Sequence, residues 1–182
     1  MSRIMPLEPP YDVEIQQQFD RIMRGAPPLM LFRVVAGNAR AWEKFRGGSL
    51  LDGRVLSLRE REIVIDRTCA LTRCEYEWGV HVATFAGAAG LTNEQVRATV
   101  LGNADEACWS TDEQALIAAV DALHQRATLS ESEFAALRMH YDDAKIFEII
   151  LLCGFYRTVS YLANGLSLPL ETSAARFPSS AA

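Results

Sequence analysis

The chain has 182 residues, of which 49% are apolar and 23% charged, a composition typical of a single globular domain. A chain of this length buries enough surface to fold without a disulfide or a structural metal ion. The net charge of −5 and the pI near 5.2 argue against a nucleic-acid partner, because nucleic-acid affinity depends on clustered Lys and Arg.

The cysteines do not form a metal-binding or disulfide framework. They follow neither a CxxC pattern nor the spacing of a zinc site: Cys69, Cys74, Cys108 and Cys153. We therefore expect a reduced, cytoplasmic protein whose cysteines form no zinc site. Residues 1–10 lack the apolar segment of a signal peptide, and the most apolar stretch, 146–156, is about half a membrane-spanning length, so we expect no membrane contact.

Helix signals begin near the N-terminus. Apolar spacing predicts three helices there: 11–24, 29–36 and 39–46. The first stops at Gly25, and the second follows Pro27 and Pro28, which favour a helix start. Asn38 is placed to cap the third.

Capping boxes mark the helices of the central region. Ser57 followed by Glu60 predicts a helix over 58–71, and the next helix is predicted over 75–88, ending at Gly90. The same Ser/Thr-x-x-Glu/Gln pattern predicts three further helix starts: Thr92 with Gln95, Ser110 with Glu113, and Ser130 with Glu133.

The last predicted helix, 143–163, is apolar on nearly every face, which is typical of a helix in a large core or a subunit interface, so we expect a homo-oligomer. Strand signals are absent from the sequence. We therefore predict an all-α, single-domain protein over 1–182, with an N-terminal helical extension (1–53), a core (54–170) and a tail (171–182).

One helix start combines four chemically distinctive residues. If a helix begins near Cys74, then Cys74, Glu77, Trp78 and His81 fall at i, i+3, i+4 and i+7 on a single stripe. The helix dipole would lower the pKa of a thiol at this position. Glu77 could fix the tautomer of His81 or share its proton. Taken singly, however, such a Cys is more often a buried apolar residue, and a Glu–His pair is more often solvated.

The run from Leu58 to Gly90 resembles the signature region of the carboxymuconolactone decarboxylase family, and Pro27-Pro28-Leu29 and Gly154-Phe155-Tyr156 resemble parts of its longer members. The resemblance implies an all-α fold related to alkyl hydroperoxidase D, assembled into trimers or hexamers. In the hydroperoxidase branch a Glu, two Cys and a His form the motif. Carried onto this chain, they fall on Glu62, Cys74, Glu77 and His81.

Glu77 therefore stands where the hydroperoxidase motif has its second Cys, and a carboxylate cannot form a disulfide with Cys74. Its charge also disfavours a thiolate one turn away. Cys69 is a poor replacement if it lies on the same continuous helix, although a turn between Cys69 and Cys74 would reopen the question. We rank a dithiol hydroperoxide reductase second for these reasons.

The decarboxylase branch resembles this chain in pairing Glu at 77 with His81, and it implies a cofactor-free lyase acting on a small carboxylated lactone or oxo acid of aromatic catabolism. On this hypothesis His81 donates a proton, Glu77 orients it and Glu62 is a second acid or base. Cys74 completes the candidate catalytic set.

Three aromatic residues are candidates for substrate binding, namely Tyr76, Trp78 and Tyr156. Arg59, Arg61 and Arg67 are interpreted as a solvated face in preference to an anion site, although an acidic lactone would suit one of them. Glu148 is interpreted as a member of a structural ion pair in preference to a pocket carboxylate. A non-catalytic oligomer that binds a small molecule stays open as a third function.

Overall fold

The computed structural model describes residues 2–51 and 55–179, and within these ranges its regular elements are helices only. They are α1 (Val13–Met23), α2 (Met30–Val35), α3 (Ala39–Gly47), α4 (Leu58–Leu71), α5 (Glu75–Phe85), α6 (Asn93–Leu101), α7 (Thr111–Arg126), α8 (Glu131–Arg138) and α9 (Asp143–Gly165). The all-α prediction is confirmed. The predicted boundary at residues 53 and 54 and the end of the tail lie outside the described residues.

The capping patterns locate the helix starts correctly. All four predicted helix starts are found, and reciprocal side-chain and backbone hydrogen bonds form at Ser57, Thr92 and Ser130. At Ser110 the backbone N–H donates to Glu113 at 3.1 Å, whereas the hydroxyl donates to Asp112. α5 ends at Phe85 rather than at residue 88. Hydrogen-bonded turns nevertheless continue to Gly90, whose φ of +68° suits a glycine.

α4 is the central helix, and it contacts α5, α6, α7 and α9. For this reason the interpretation of its arginines as a solvated face is wrong. Arg67 donates to both carboxylate oxygens of Asp121 at 2.6 and 2.8 Å, and Arg61 is only 7% exposed. Arg59 is half-buried and pairs with Glu113 at 2.5 Å. Surrounded on all sides by other helices, α4 buries these arginines beside acidic partners.

The N-terminal helices pack onto the same core through a chain of aromatic rings. Phe19, Trp42, Phe45 and Phe155 follow one another with ring centroids 5.5 to 6.0 Å apart, which connects α1 and α3 to α9. Glu148, predicted to be a structural residue, accepts a hydrogen bond from the Leu56 backbone at 3.2 Å.

The segment after α9 returns across α5. The Glu171 carboxylate accepts hydrogen bonds from the Met30 backbone and the Tyr76 hydroxyl, both at 2.6 Å. The Ala175 N–H donates to the Gly79 carbonyl at 2.9 Å. A Cβ on Gly79 would clash with the Ala175 carbonyl oxygen, so this crossing requires a glycine.

α9 combines a buried face with an exposed apolar one. Its 23 residues and mean hydropathy of 1.5 make it long and apolar enough to cross a membrane, a test that core helices of soluble proteins also pass. Ile149, Leu152 and Tyr156 lie in the core, whereas Phe147 is 69% and Leu151 57% exposed. One face of this apolar helix is therefore buried within the chain, and the opposite face is exposed to solvent.

Candidate active site

A tight turn joins α4 to α5 and determines which residues of the two helices face each other. Arg73 adopts the left-handed conformation at φ +54°, the Cys74 N–H donates to the Cys69 carbonyl at 2.8 Å, and the Arg73 N–H donates to Ala70 at 3.0 Å. This is a Schellman motif, which brings the residue after the turn against the last turn of the helix. Cys74 then caps α5. Glu62 and His81 meet farther along the two helices.

His81 and Glu62 form the best-defined contact of the site. The Glu62 carboxylate lies 2.7 Å from His81 Nδ1, and the side chains are 1% and 4% exposed. Arg61 pairs with the other oxygen of Glu62 at 2.7 Å, and its guanidinium lies over the Phe85 ring. Glu62 is thus the residue that orients the imidazole through its Nδ1.

The other ring nitrogen of His81 faces two oxygens. The Tyr156 hydroxyl lies 3.2 Å from Nε2, and a Glu77 oxygen lies 3.4 Å away. The second Glu77 oxygen is buried without a hydrogen-bond partner in the protein. Glu77 therefore lies beside the nitrogen that is available for proton transfer, whereas the sequence hypothesis gave it the orienting role.

The surrounding charges keep the imidazole protonated. Burial alone would lower the pKa of His81, but the hydrogen bonds and charges of Glu62 and Glu77 outweigh burial and raise this pKa to about 10. At neutral pH His81 is therefore an imidazolium with a proton on both nitrogens. Burial and the nearby carboxylates raise the pKa of Tyr156 well above its ordinary value, so its hydroxyl stays neutral.

The helix dipole predicted a lowered pKa for the Cys74 thiol, and the structure gives a raised one. Cys74 is fully buried, and burial raises its pKa to about 11, which outweighs its position at the start of α5. The expectation of a lowered pKa is wrong for this reason. Burial and the neighbouring Cys74 also raise the pKa of Cys69. The Cys74 N–H donates to the Cys69 carbonyl at 2.8 Å, so the turn does bring the two residues close together.

Tyr76 and Trp78 do not join the cluster around His81. The Tyr76 hydroxyl is occupied by Glu171 and by the Leu31 N–H at 3.0 Å. Trp78 donates to Thr99 on α6 at 3.0 Å, and its ring packs on Phe177. These contacts give both side chains a structural function. Tyr156 is the one proposed substrate-binding aromatic residue that contacts His81.

Two site residues were missed at the sequence level. Arg61 was interpreted as solvated, and Asp66 was not considered, although it lies one helical turn after Glu62 and three residues before Cys69. That spacing, which places Asp66 on the same face of the predicted helix as Glu62 and Cys69, was the available signal. Within the described ranges, no group of three or more His, Cys, Asp or Glu side chains is placed to bind a metal ion.

Residues 36–121 match the sequence profile of the Carboxymuconolactone decarboxylase family, which confirms the family resemblance. This match contains Glu62, Cys74, Glu77 and His81. No curated protein sequence matches the chain.

Solved structures share the whole fold. A peroxidase-related protein from Silicibacter sp. TM1040 superposes with a TM-score of 0.81 at 18% identity, covering 97% of this chain and 96% of that one. A peroxidase-related protein from Ralstonia eutropha JMP134, described as an alkylhydroperoxidase AhpD core, gives 0.80 at 18% identity, covering 94% and 93%. The debrominase Bmp8, solved as a cysteine-to-alanine variant with 2,3,4-tribromopyrrole, gives 0.78 at 14% identity, covering 93% and 92%. At these identities the similarity shows the fold alone.

Proposed function

We propose that this protein, whose residues 36–121 match the carboxymuconolactone decarboxylase family, is a cofactor-free enzyme that decarboxylates a small carboxylated lactone or a related oxo acid. His81 is the proton donor of the reaction. Glu62 positions it, and Tyr156 and Glu77 border the reacting nitrogen. The observation that carries this proposal is the buried His81 ring held between Glu62 and Glu77, whose carboxylates raise its pKa.

The charges of the site suit a decarboxylation. When the carboxylate of the substrate leaves as CO₂, the bonding electron pair stays on carbon and delocalises into a conjugated carbonyl group. A proton from His81 Nε2 then goes to that carbon, which leaves a neutral imidazole to be reprotonated from solvent. Arg61 supplies a buried cation that can attract the anionic substrate, although its ion pair with Glu62 partly balances its positive charge.

Access to the site requires movement. Glu62 has no exposed surface and His81 is 3% exposed, so a substrate reaches the imidazole only when neighbouring side chains move aside. Phe85 packs 5.3 Å from the His81 ring and is partly exposed, which makes it the nearest side chain that can open a path. Exclusion of water afterwards strengthens the electrostatic interactions inside the site.

The test is ultraviolet-monitored turnover of 4-carboxymuconolactone by the wild type and by His81→Asn. We expect the wild type to consume the lactone and the variant to be at least about 100-fold slower, which is the usual contribution of a general acid. His140→Asn is the matched control, since His140 is exposed and distant from the cluster, and it should retain full activity. Equal rates for His81→Asn and the wild type would contradict the proposal.

A second candidate is thiol-dependent hydroperoxide reduction, which is favoured by one observation, the turn that places Cys74 against Cys69. The balanced reaction converts ROOH and the two thiols into ROH, water and a Cys69–Cys74 disulfide. The raised pKa values of both buried thiols oppose it, because the attacking species is a thiolate. Consumption of tert-butyl hydroperoxide with a dithiol reductant, abolished in both Cys69→Ser and Cys74→Ser, would establish this candidate over the decarboxylase.

A further inference from the structure

Asp66 is an acidic residue in the described part of the core, and the site described above gives it no role. It is completely buried, and neither of its carboxyl oxygens has a hydrogen-bond partner in the protein. It lies on α4 one turn after Glu62 and three residues before Cys69, so its side chain belongs to the same face of the helix. A carboxyl group buried without partners is costly, and it is retained where it has a specific use.

The charges around Asp66 favour its un-ionised form. Arg61 and protonated His81 already balance the carboxylates of Glu62 and Glu77, so an ionised Asp66 would add an uncompensated buried negative charge. Burial, together with the charge of Glu62, raises the pKa of Asp66 well above its ordinary value against the opposing effect of His81. The result is a neutral carboxylic acid whose O–H has no acceptor in the protein.

We propose that Asp66 is a further catalytic residue, a neutral acid that donates a hydrogen bond to the oxyanion formed as the substrate loses CO₂. This role rests on the proposed decarboxylase function. The electron pair released by CO₂ loss delocalises onto a carbonyl oxygen, which then needs a hydrogen-bond donor. His81 Nδ1–H is committed to Glu62, and Nε2–H is needed at carbon, so neither is free for this oxygen. The un-ionised carboxyl of Asp66 supplies a donor for this oxygen in addition to the Tyr156 hydroxyl, a use of buried carboxylic acids known from other enzymes.

The protonation state of Asp66 can be tested without a substrate. A difference infrared spectrum between the wild type and Asp66→Asn at neutral pH should contain the carbonyl stretch of an un-ionised carboxylic acid, which deuterium shifts to lower frequency. Asp105→Asn, at an exposed position, is the matched control, and its difference spectrum should lack that carbonyl stretch. A wild-type minus Asp66→Asn spectrum with carboxylate bands alone would overturn the proposal, whatever reaction the protein catalyses.

The donor role is tested with 4-nitrophenolate, whose absorbance distinguishes the bound anion from the phenol. We expect Asp66→Asn, which keeps a donor of similar shape, to bind the anion within about tenfold of the wild type. Asp66→Leu, which has no donor, should bind it at least about 100-fold more weakly. Equal affinity in the Asn and Leu variants would overturn the donor role. Circular dichroism checks that both variants fold.

Turnover of 4-carboxymuconolactone gives the third measurement. Asp66→Leu should lower kcat by about 100-fold to 1000-fold with KM little changed, since the donor acts in the transition state, and Asp66→Asn should recover most of the loss. Loss of the same size in both variants would show a structural role and overturn the proposal. If the wild type does not turn over the lactone at all, the proposed function fails, and the infrared and phenolate measurements still decide the state and role of Asp66.

Discussion

At the residue scale, the pairing of His81 with Glu62 controls the protonation of the site. Glu62→Gln keeps the shape of the side chain but removes its charge, so we expect the pKa of His81 to fall from about 10 toward its ordinary value of 6.5. The pH titration of the imidazole C–H resonances measures this directly. Glu43→Gln, at an exposed residue that pairs with Lys44, should leave the His81 titration unchanged.

The same pair makes stability depend on pH. The folded-state pKa of His81 is raised, so the contribution of the pair is complete below pH 6.5 and is lost as the pH rises through about 10. Breaking a buried pair by removing one partner costs about 3–5 kcal/mol. Denaturant unfolding should therefore show Glu62→Gln much less stable than the wild type at neutral pH, with the difference shrinking above pH 10. A difference independent of pH would mean that His81 is neutral in the folded protein.

The four cysteines should differ in reactivity. Burial raises the pKa of all four thiols, and to about 12 at Cys153, but Cys69 and Cys74 are fully buried whereas Cys108 is partly exposed. Iodoacetamide at neutral pH should therefore label Cys108 first and leave Cys69 and Cys74 unmodified until the protein is unfolded. Mass spectrometry of the labelled peptides gives the order, with full labelling in denaturant as the reference. Rapid modification of Cys74 in the native protein would instead support the hydroperoxide reductase.

At the scale of elements, the turn between α4 and α5 carries a backbone strain that can be removed. Arg73 is exposed and adopts φ +54°, a conformation that costs a non-glycine residue about 1–2 kcal/mol. Since glycine loses about 0.5–1 kcal/mol in chain entropy, Arg73→Gly should raise the free energy of unfolding by up to about 1 kcal/mol. Thermal melting measures the change. Ala70→Gly, inside α4, should lower stability by about 1 kcal/mol, and a fall in both variants would contradict this account.

These elements show what the sequence can and cannot predict. Helix starts depend on contacts three residues apart, so the boxes at Ser57 and Ser130 were found correctly. The pairing of His81 with Glu62 was available only through the family resemblance, because it joins two helices across a turn. Which side of α4 faces solvent depends on how many helices surround it, and for that reason the burial of Arg61 and Asp66 was missed.

The crossing of the C-terminal segment over α5 gives a further prediction. Gly79→Ala places a methyl group against the Ala175 carbonyl, so the segment must lift and lose the packing of Phe177 on Trp78. Hydrogen exchange and limited proteolysis should show residues 171–179 opening while α4 and α9 stay protected. Gly87→Ala is the control, because nothing lies within 4 Å of its Cβ. Equal protection of the segment in both variants would show that the crossing tolerates a side chain.

At the scale of the whole molecule, the outer face of α9 is an apolar surface that the described part of the chain leaves exposed to solvent. Phe147, Ile150, Leu151 and Tyr161 are 69%, 41%, 57% and 63% exposed and follow helical spacing along one side. An exposed apolar stripe of this kind favours an interaction site. We propose that a second copy of the chain covers this face in a homo-oligomer, consistent with the trimers or hexamers implied by the family resemblance.

The prediction is that light scattering with size-exclusion chromatography finds an oligomer for the wild type and a folded monomer for Phe147→Asp/Leu151→Asp. The double change removes apolar contact and introduces like charges that repel across a symmetric interface. Met139→Asp is the control, since Met139 is 80% exposed but lies outside α9, and it should leave the assembly intact. A monomeric wild type would exclude self-association through this face. Binding of that monomer to phospholipid vesicles would then mean that the apolar face of α9 meets lipid, a result that the length and hydropathy of the helix permit.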